Sequence, residues 1–204
     1  MDVTLFPTKG NLIRAKNTLQ LSKQGYELLD KKRNILIREM MMLIEKAEAI
    51  QSQIDSTFRE AYKALQAANV AIGISAVQQI ARAIPVEESI SIRFRSIMGV
   101  EIPSVRMEER KLQPQYGFFR TSGSLDEAYQ KFDRVKKLTV DLAEIENAIY
   151  RLANNIKKTQ KRANALKNIM IPRYEELAST IQNALEEKDR EEFSRLKMIK
   201  QIKY

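Results

Sequence analysis

Residues 36–72 read LIREMMMLIEKAEAIQSQIDSTFREAYKALQAANVAI and contain neither proline nor glycine. Apolar residues recur in this stretch at steps of three and four, with one irregular step at Ile54–Phe58. Such spacing is the heptad pattern of a coiled coil, in which one apolar stripe packs against a partner helix. The stretch therefore predicts a long helix that needs a partner. The apolar seam of this first arm, which runs from Asn11 to about Arg82, comprises Leu29, Leu36, Met40, Leu43, Ala47, Ile50, Ile54, Phe58, Ala61, Leu65, Ala68 and Ile72.

A second arm with the same pattern runs from about Ser124 to Lys203. Its irregular step falls at Met170–Tyr174, across Pro172. A proline inside a helix removes a backbone hydrogen bond, here to the carbonyl of Asn168, at a cost of roughly 3 kcal/mol. The second seam comprises Phe132, Val135, Leu138, Leu142, Ile145, Ile149, Leu152, Ile156, Thr159, Ala163, Leu166, Met170, Tyr174, Leu177 and Ile181.

The segment between the arms has a different composition, because residues 85–123 hold Pro85, Pro103 and Pro114 as well as three glycines. Within it, ESISIRFRSIMGVEIPSV (residues 88–105) alternates apolar and polar residues on both sides of a Met-Gly pair. Alternation with β-branched residues predicts strands, and the Met-Gly pair predicts a turn. We expect one short β-hairpin. Its apolar positions are Ile90, Ile92, Phe94, Val100 and Ile102.

These patterns predict an all-α fold, a long antiparallel two-helix coiled coil with a short β-hairpin region at the end opposite the termini. The predicted organisation is an N-terminal coiled-coil arm at 1–84, an irregular β-hairpin region at 85–123 and a C-terminal coiled-coil arm at 124–204. Because an isolated two-stranded ribbon is marginal in water, the apolar hairpin residues should be covered by the arms or by a partner.

Composition limits the location of the chain and its chemistry. No apolar run approaches the ~18 residues of a transmembrane helix, and the N-terminus MDVTLFPTKGN lacks the order of a signal peptide. We therefore expect a soluble, cytoplasmic protein. The absence of Cys and His excludes thiolate nucleophiles, His-based triads and Cys/His zinc sites.

The positions of the glycines leave no phosphate-binding loop or dinucleotide fingerprint. The acidic residues fall on polar helix faces, as solvated surface charges do. We therefore expect a non-catalytic protein with no catalytic residues, no cofactor and no metal.

The net charge is +9, from 35 Lys and Arg against 26 Asp and Glu. This favours an acidic partner, which could be nucleic acid, anionic lipid or an acidic protein surface. A basic coiled-coil scaffold that binds nucleic acid or a membrane surface is therefore an alternative function. Against nucleic acid, most aromatic residues occupy seam positions and are not interleaved with the basic runs, as stacking on single strands requires.

Two long end motifs connect the chain to a family. PTKGNLIRAKNTLQLSKQGYELLDKKRNIL (residues 7–36) and KRANALKNIMIPRYEELASTIQNALEEKDREEFSRLKMIK (residues 161–200) resemble the two ends of the D subunit of V-type and A-type rotary ATPases. The resemblance covers both arms, and the ending at Tyr204 is similar to that of prokaryotic members. Residues 85–123 fit by position and length only.

The resemblance implies the central rotor axle of an ion-translocating ATPase or ATP synthase, coupled to protons or sodium. The termini would enter the A/B catalytic hexamer, which holds the nucleotide sites. The opposite end would bind the F subunit of the central stalk and the membrane-side socket protein, named C or d. Contact with the membrane would be indirect, through the complex, and nucleic acid would not be a partner.

Two features of the predicted ring-entering half have alternative explanations. Pro172 is either a functional kink that bends the axle or a defect tolerated beside a partner helix. The basic runs on the two arms are either solvated surface or weak contacts to acidic loops of the hexamer. The expected ring-contacting residues are Lys32, Arg33, Arg38, Lys161 and Arg162.

Overall fold

A computed structural model describes residues 6–84, 89–107, 116–117 and 121–202. It confirms the predicted fold class, long helices in antiparallel pairs with a small β-hairpin. The helices are α1 (Lys9–Ile72), α2 (Ile74–Ala83), α3 (Gly123–Ala165) and α4 (Ile171–Ile202), and the strands are β1 (Ile90–Ile97) and β2 (Val100–Met107). Of the predicted irregular region, residues 85–88, 108–115 and 118–120, with Pro85 and Pro114, lie outside the described residues.

The first arm consists of two helices separated at Gly73. Its start is capped locally, since the backbone N–H of Asn11 donates to the hydroxyl of Thr8 at 3.2 Å. Helix α1 ends at Ile72 because Gly73 has a φ of 97°, a conformation that residues with a side chain rarely adopt. The chain then resumes as α2, whose Val77 packs against Ala68 and Leu125.

The described chain forms two compact units, one within residues 1–35 and 156–204 and the other within residues 36–155. We call them unit 1 and unit 2. In unit 1, Lys23 Nζ lies 2.7 Å from Glu175 Oε1, and Arg33 Nη1 lies 2.8 Å from Gln160 Oε1. The partner numbers fall as the α1 numbers rise, so the helices are antiparallel.

Unit 2 contains its own antiparallel pair. The rings of Phe58 and Tyr62 on α1 lie 6.4 and 5.6 Å from the ring of Phe132 on α3. Both edge-to-face contacts stabilise the helix pair by more than the burial of their apolar surface alone. Leu36 and Leu152 are completely buried in this unit.

The predicted seams are the buried stripes of the helices. Every seam residue of both arms is buried or half-buried, including those beside the irregular step at Ile54–Phe58. One narrow stripe per helix therefore forms the core of each helix pair. In unit 1 the largest side chain with almost no exposed surface is that of Ile181, which is 2% exposed.

The structure adds a detail at Pro172. The five residues before α4, Leu166–Met170, form a π-helical segment, so the helix before the proline is not a regular α-helix. There the N–H of Ile171 donates to the carbonyl of Leu166, five residues earlier. Pro172 is the second residue of α4 and directly follows this segment, so the chain is helical on both sides of the proline.

The predicted hairpin forms around Met98 and Gly99, whose φ values of 50° and 74° are both positive. A two-residue turn with positive φ at both positions matches the twist of the flanking strands. The register pairs Ile97 with Val100 and Phe94 with Pro103.

The two strands of the hairpin differ in burial. On β2, Val100 and Ile102 are 2% and 0% exposed, so the chain itself covers them. On β1, Ile90, Ile92 and Phe94 are 44%, 61% and 59% exposed. The described residues therefore cover β2 more fully than β1, although the Arg151 guanidinium of α3 lies 5.3 Å from the centre of the Phe94 ring.

Tyr116 connects the segment before α3 to the start of that helix. Its hydroxyl donates to Asp126 Oδ1 at 2.5 Å, and its ring lies edge-on to the ring of Tyr129 at 6.1 Å. Burial, together with the hydrogen bond to the Asp126 carboxylate, raises the pKa of Tyr116 to about 12. The protonated phenol is therefore favoured in the folded state.

We predict that this contact is lost in strong alkali. Because the folded pKa lies above the unfolded one, its contribution to stability is complete below pH 10 and disappears as the pH rises towards 12. Asp126→Asn should lower the pKa of Tyr116 towards 10, and an NMR titration of ring-labelled tyrosine would measure it. The Tyr116→Phe variant identifies the NMR signal of Tyr116, because that signal is missing from its spectrum. An unchanged pKa in Asp126→Asn would contradict the role of this carboxylate.

Candidate functional site

The expected contact residues lie in both units. Lys32, Arg33, Lys161 and Arg162 belong to unit 1, and Arg38 belongs to unit 2. Within unit 1, the bond between Arg33 and Gln160 places the basic residues of the two helices beside each other. This region therefore presents a local concentration of positive charge.

Arg33 differs from the other basic residues because its guanidinium is occupied within the chain. It forms an ion pair with Asp30 at 2.7 Å and donates to the side chains of Asn34 and Gln160. Its side chain is only 24% exposed. The sequence led us to expect a free surface charge, but Arg33 cross-links the two helices of unit 1.

The remaining four residues are available for contact. Lys32 is half-buried, and Arg38, Lys161 and Arg162 are exposed. In the described ranges of the chain, none of the four forms an ion pair. They can therefore interact with an acidic surface without first breaking a bond within the chain.

The π-helical segment forms a second feature of unit 1. Leu166 packs over Gly25 of α1, where a Cβ atom would lie 3.5 Å from Leu166 Cδ1. Lys167 Nζ lies 5.8 Å from the centre of the Tyr26 ring, and Ile169 is 61% exposed. The widened turn thus keeps Leu166 and Met170 at the seam while it leaves Ile169 at the surface.

The third feature is the last part of α4. All residues from 186 to 202 are exposed, although the helix continues to Ile202. Ion pairs within the helix support it, from Arg190 to Glu186 and Glu187 and from Arg195 to Glu191. We call residues 186–202 the α4 tail.

The α4 tail carries large apolar side chains that nothing described in the chain covers. The exposed fractions are 71% for Phe193, 66% for Leu196, 54% for Ile199 and 81% for Ile202. The second seam predicted from the sequence ends at Ile181 and does not include these residues. Their regular spacing of three residues was the signal, since it places each apolar side chain next to the preceding one on the helix surface.

The described residues offer little for chemistry. They contain no cluster of three or more acidic side chains that could hold a metal ion. None of the helices in the described ranges is both long and apolar enough to span a lipid bilayer.

Comparison with known proteins identifies the family. A sequence model of the family described as the D subunit of ATP synthase matches residues 11–201. The chain belongs to the ATP synthase D-subunit family. A relative from Thermotoga neapolitana, named as the D subunit of a V-type ATP synthase, is 44% identical over 98% of both chains.

Archaeal relatives support the same assignment. The protein named as the D subunit of an A-type ATP synthase is 38% identical in Methanobrevibacter smithii, over 95% of this chain and 85% of that one. It is 36% identical in Pyrococcus furiosus, over 96% and 93%. Membership in the D-subunit family makes the chain a non-catalytic component of a rotary ATPase.

We predict that Arg33 stabilises the fold, unlike the free cations beside it. Arg33→Ala should lower the free energy of unfolding by about 1–2 kcal/mol, because Asp30 and Gln160 lose their partner. Lys161→Ala, the matched control, should change it by less than about 0.5 kcal/mol. Urea titrations followed by circular dichroism would measure both. Equal effects would show that the Arg33 bonds contribute nothing specific.

Proposed function

We propose that this chain is the central rotor axle of a V/A-type ATP synthase. It transmits torque between the A/B catalytic hexamer, where ATP is hydrolysed or made, and the ion-translocating membrane ring. As part of that complex it is cytoplasmic and peripheral to the membrane. The exposed apolar side chains of the α4 tail carry the proposal, together with membership in the D-subunit family.

The α4 tail requires a covering partner. Burying a Phe, Leu or Ile side chain contributes roughly 1.5–3 kcal/mol, and the tail leaves several of them in water. A single helix that ends in exposed apolar side chains, and that is supported by ion pairs between its own side chains, is suited to insertion between other proteins of the complex. The proposed cover is the inner wall of the A/B hexamer.

The basic residues supply the second type of contact with that hexamer. An axle that turns inside a ring has to release each contact repeatedly, and breaking a buried ion pair costs several kcal/mol. Exposed charges make contacts worth about 1 kcal/mol or less, which can be exchanged. Lys32, Arg38, Lys161 and Arg162 meet this requirement, whereas Arg33 is engaged within the chain.

The irregular region 85–123 is the proposed attachment site for the other partners, the F subunit of the central stalk and the membrane-side socket protein. The support for this is the uncovered strand β1, on which Ile90, Ile92 and Phe94 are exposed. In this arrangement the two arms, 1–84 and 124–204, carry the hexamer contacts at their ends.

Pro172 acts in this proposal as part of a built-in bend. The π-helical segment Leu166–Met170 and the proline next to it are the kind of local defect at which helices change direction. A bend would let the axle press on one catalytic interface at a time. The alternative, a proline tolerated beside a partner helix, has no consequence for turnover.

We predict that the α4 tail is needed for assembly but not for folding. Phe193→Ser with Leu196→Ser should leave the thermal midpoint of the isolated chain unchanged, because both side chains are already exposed. Binding to the purified A/B hexamer should weaken at least about thirtyfold, which corresponds to roughly 2 kcal/mol. Surface plasmon resonance would measure the affinity.

Lys188→Ser is the control for this experiment, since Lys188 lies in the same tail and is also exposed. It should bind the hexamer as the unmodified chain does. Undiminished binding by the doubly substituted tail would contradict insertion into the ring.

We predict that Pro172→Ala separates the two explanations of the bend. Thermal unfolding of the isolated chain should show a stabilisation below the roughly 3 kcal/mol of a proline in a regular helix interior, because the π-helical segment before Pro172 already departs from α-helical hydrogen bonding. In the assembled complex, ATP turnover should fall. Glu176→Ala on the same helix is the control. Unaltered turnover with Pro172→Ala would exclude a mechanical role.

A further inference from the structure

The outer edges of the two hairpin strands differ. Among the described residues, α3 bonds to backbone groups along the outer edge of β2 but not to those along the outer edge of β1. The two-residue turn makes Ile97 and Val100 the first hydrogen-bonded pair, and hydrogen-bonded and non-hydrogen-bonded pairs then alternate along an antiparallel ladder. Residues of the non-hydrogen-bonded pairs direct their backbone N–H and C=O groups away from the partner strand. This alternation determines which backbone groups remain for other molecules.

The outer edge of β2 is closed within the chain. The N–H of Val105 donates to the Glu144 carboxylate of α3 at 2.5 Å, and the carbonyl of Glu101 accepts a bond from Arg151 at 3.3 Å. The outward residue between them is Pro103, which has no N–H. Helix α3 thus covers this edge, as proteins commonly do to prevent unwanted pairing.

The outer edge of β1 has no such cover among the described residues. By the register, the outward N–H and C=O groups belong to Ile90, at the start of the strand, and to Ile92, Phe94 and Ser96. The sheet of the described chain has two strands only, so no third strand pairs with these groups. All side chains from 90 to 96 are exposed as well.

The charged side chains of the hairpin indicate what kind of strand would pair with the outer edge of β1. Arg93 and Arg95 alternate with the outward residues and point to one face of the hairpin, which they share with Arg106 of β2. In the described part of the chain, none of these three guanidinium groups has a carboxylate partner. A second copy of the chain would place its own arginines against them, and opposed like charges destabilise a strand pair.

We propose that β1 is a docking edge for an acidic, extended strand of another polypeptide. The strand adds to the hairpin through main-chain hydrogen bonds to Ile92, Phe94 and Ser96, and its carboxylates pair with Arg93 and Arg95. Its alternate, apolar side chains lie beside the groove between the β1 side chains and Val140 and Ala143 of α3.

This inference deepens the proposed attachment of partner proteins to the hairpin and rests on that function only for the identity of the partner. Its test uses a peptide in place of a whole partner. The outcome is therefore independent of the α4-tail experiment with the A/B hexamer, and the two proposals can fail separately.

Hydrogen exchange of the full-length chain, read by NMR, tests the open edge. The amides of Ile92, Phe94 and Ser96 should exchange rapidly, and those of Arg93 and Arg95, which bond to β2, should be protected. Protection of the outward amides in the free chain would mean that the chain itself covers the edge. Protection that grows with protein concentration would assign the edge to a second copy. Either result overturns the proposal.

Binding is tested with an end-capped, fluorescein-labelled peptide of alternating threonine and glutamate, as long as β1. We expect the peptide to bind, by fluorescence anisotropy, and to protect the three outward amides. Arg93→Glu with Arg95→Glu should weaken binding about tenfold. A peptide with lysine in place of glutamate should not bind, and equal binding of the two peptides would overturn the proposal.

Ile92→Pro, compared with Ile92→Ala, distinguishes strand pairing from charge attraction. The proline removes one outward donor but none of the bonds to β2, as Pro103 does on the opposite strand. It should weaken binding about tenfold relative to the alanine variant. Continued protection of the Arg93 and Arg95 amides would show that the hairpin is intact. Equal binding by the two variants, or no binding by the unmodified chain, overturns the proposal.

Discussion

The apolar seam between α1 and the returning helices is the contact on which the rest of the structure depends. A helix as long as α1, with a single apolar stripe, is not stable alone in water, because its burial has to come from a partner. In each unit the seam supplies that burial, through side chains such as Leu36 and Leu152 in unit 2 and Ile181 in unit 1. Each buried side chain of this size contributes roughly 1.5–3 kcal/mol.

A narrow seam leaves most of the helix surface in water, and the polar interactions reflect this. Many ion pairs lie within one helix. Asp133 of α3, for example, is paired with Lys136 and Lys137. Burial would raise the pKa of Asp133, but the hydrogen bonds from the two lysines outweigh it and lower the pKa. Such local pairs keep a long helix stable without occupying the surface that partner proteins need.

The chain exposes apolar surface in two distinct ways. The α4 tail presents side chains only, since the backbone of a helix is satisfied internally. Strand β1 presents side chains and also the backbone groups of one edge, which can direct the pairing of a second strand. The α4 tail is suited to a contact that depends on side-chain packing and can slide. Strand β1 is suited to a contact in which the register between the paired strands is fixed.

The sequence by itself determined the helical arms, their seams and the hairpin turn at Met98–Gly99, because each depends on residues close in the chain. The break at Gly73 inside the first arm came from the structure. It also showed the D-subunit family through the end motifs. Tertiary structure decided the rest. The π-helical segment Leu166–Met170 contacts Gly25 across the helix pair, and local helix propensity carries no information about that contact.

The same reason applies to the candidate surfaces. Whether Arg33 is a free charge or a cross-link depends on Gln160, which is 127 residues away in the chain. Val100 and Ile92 are equally apolar in the sequence, yet the first is buried and the second exposed. The register places them on different strands and on opposite faces of the hairpin, and α3 bonds to the backbone of the β2 edge. Periodicity shows which face of an element is apolar, and only the packed structure shows which apolar faces remain uncovered.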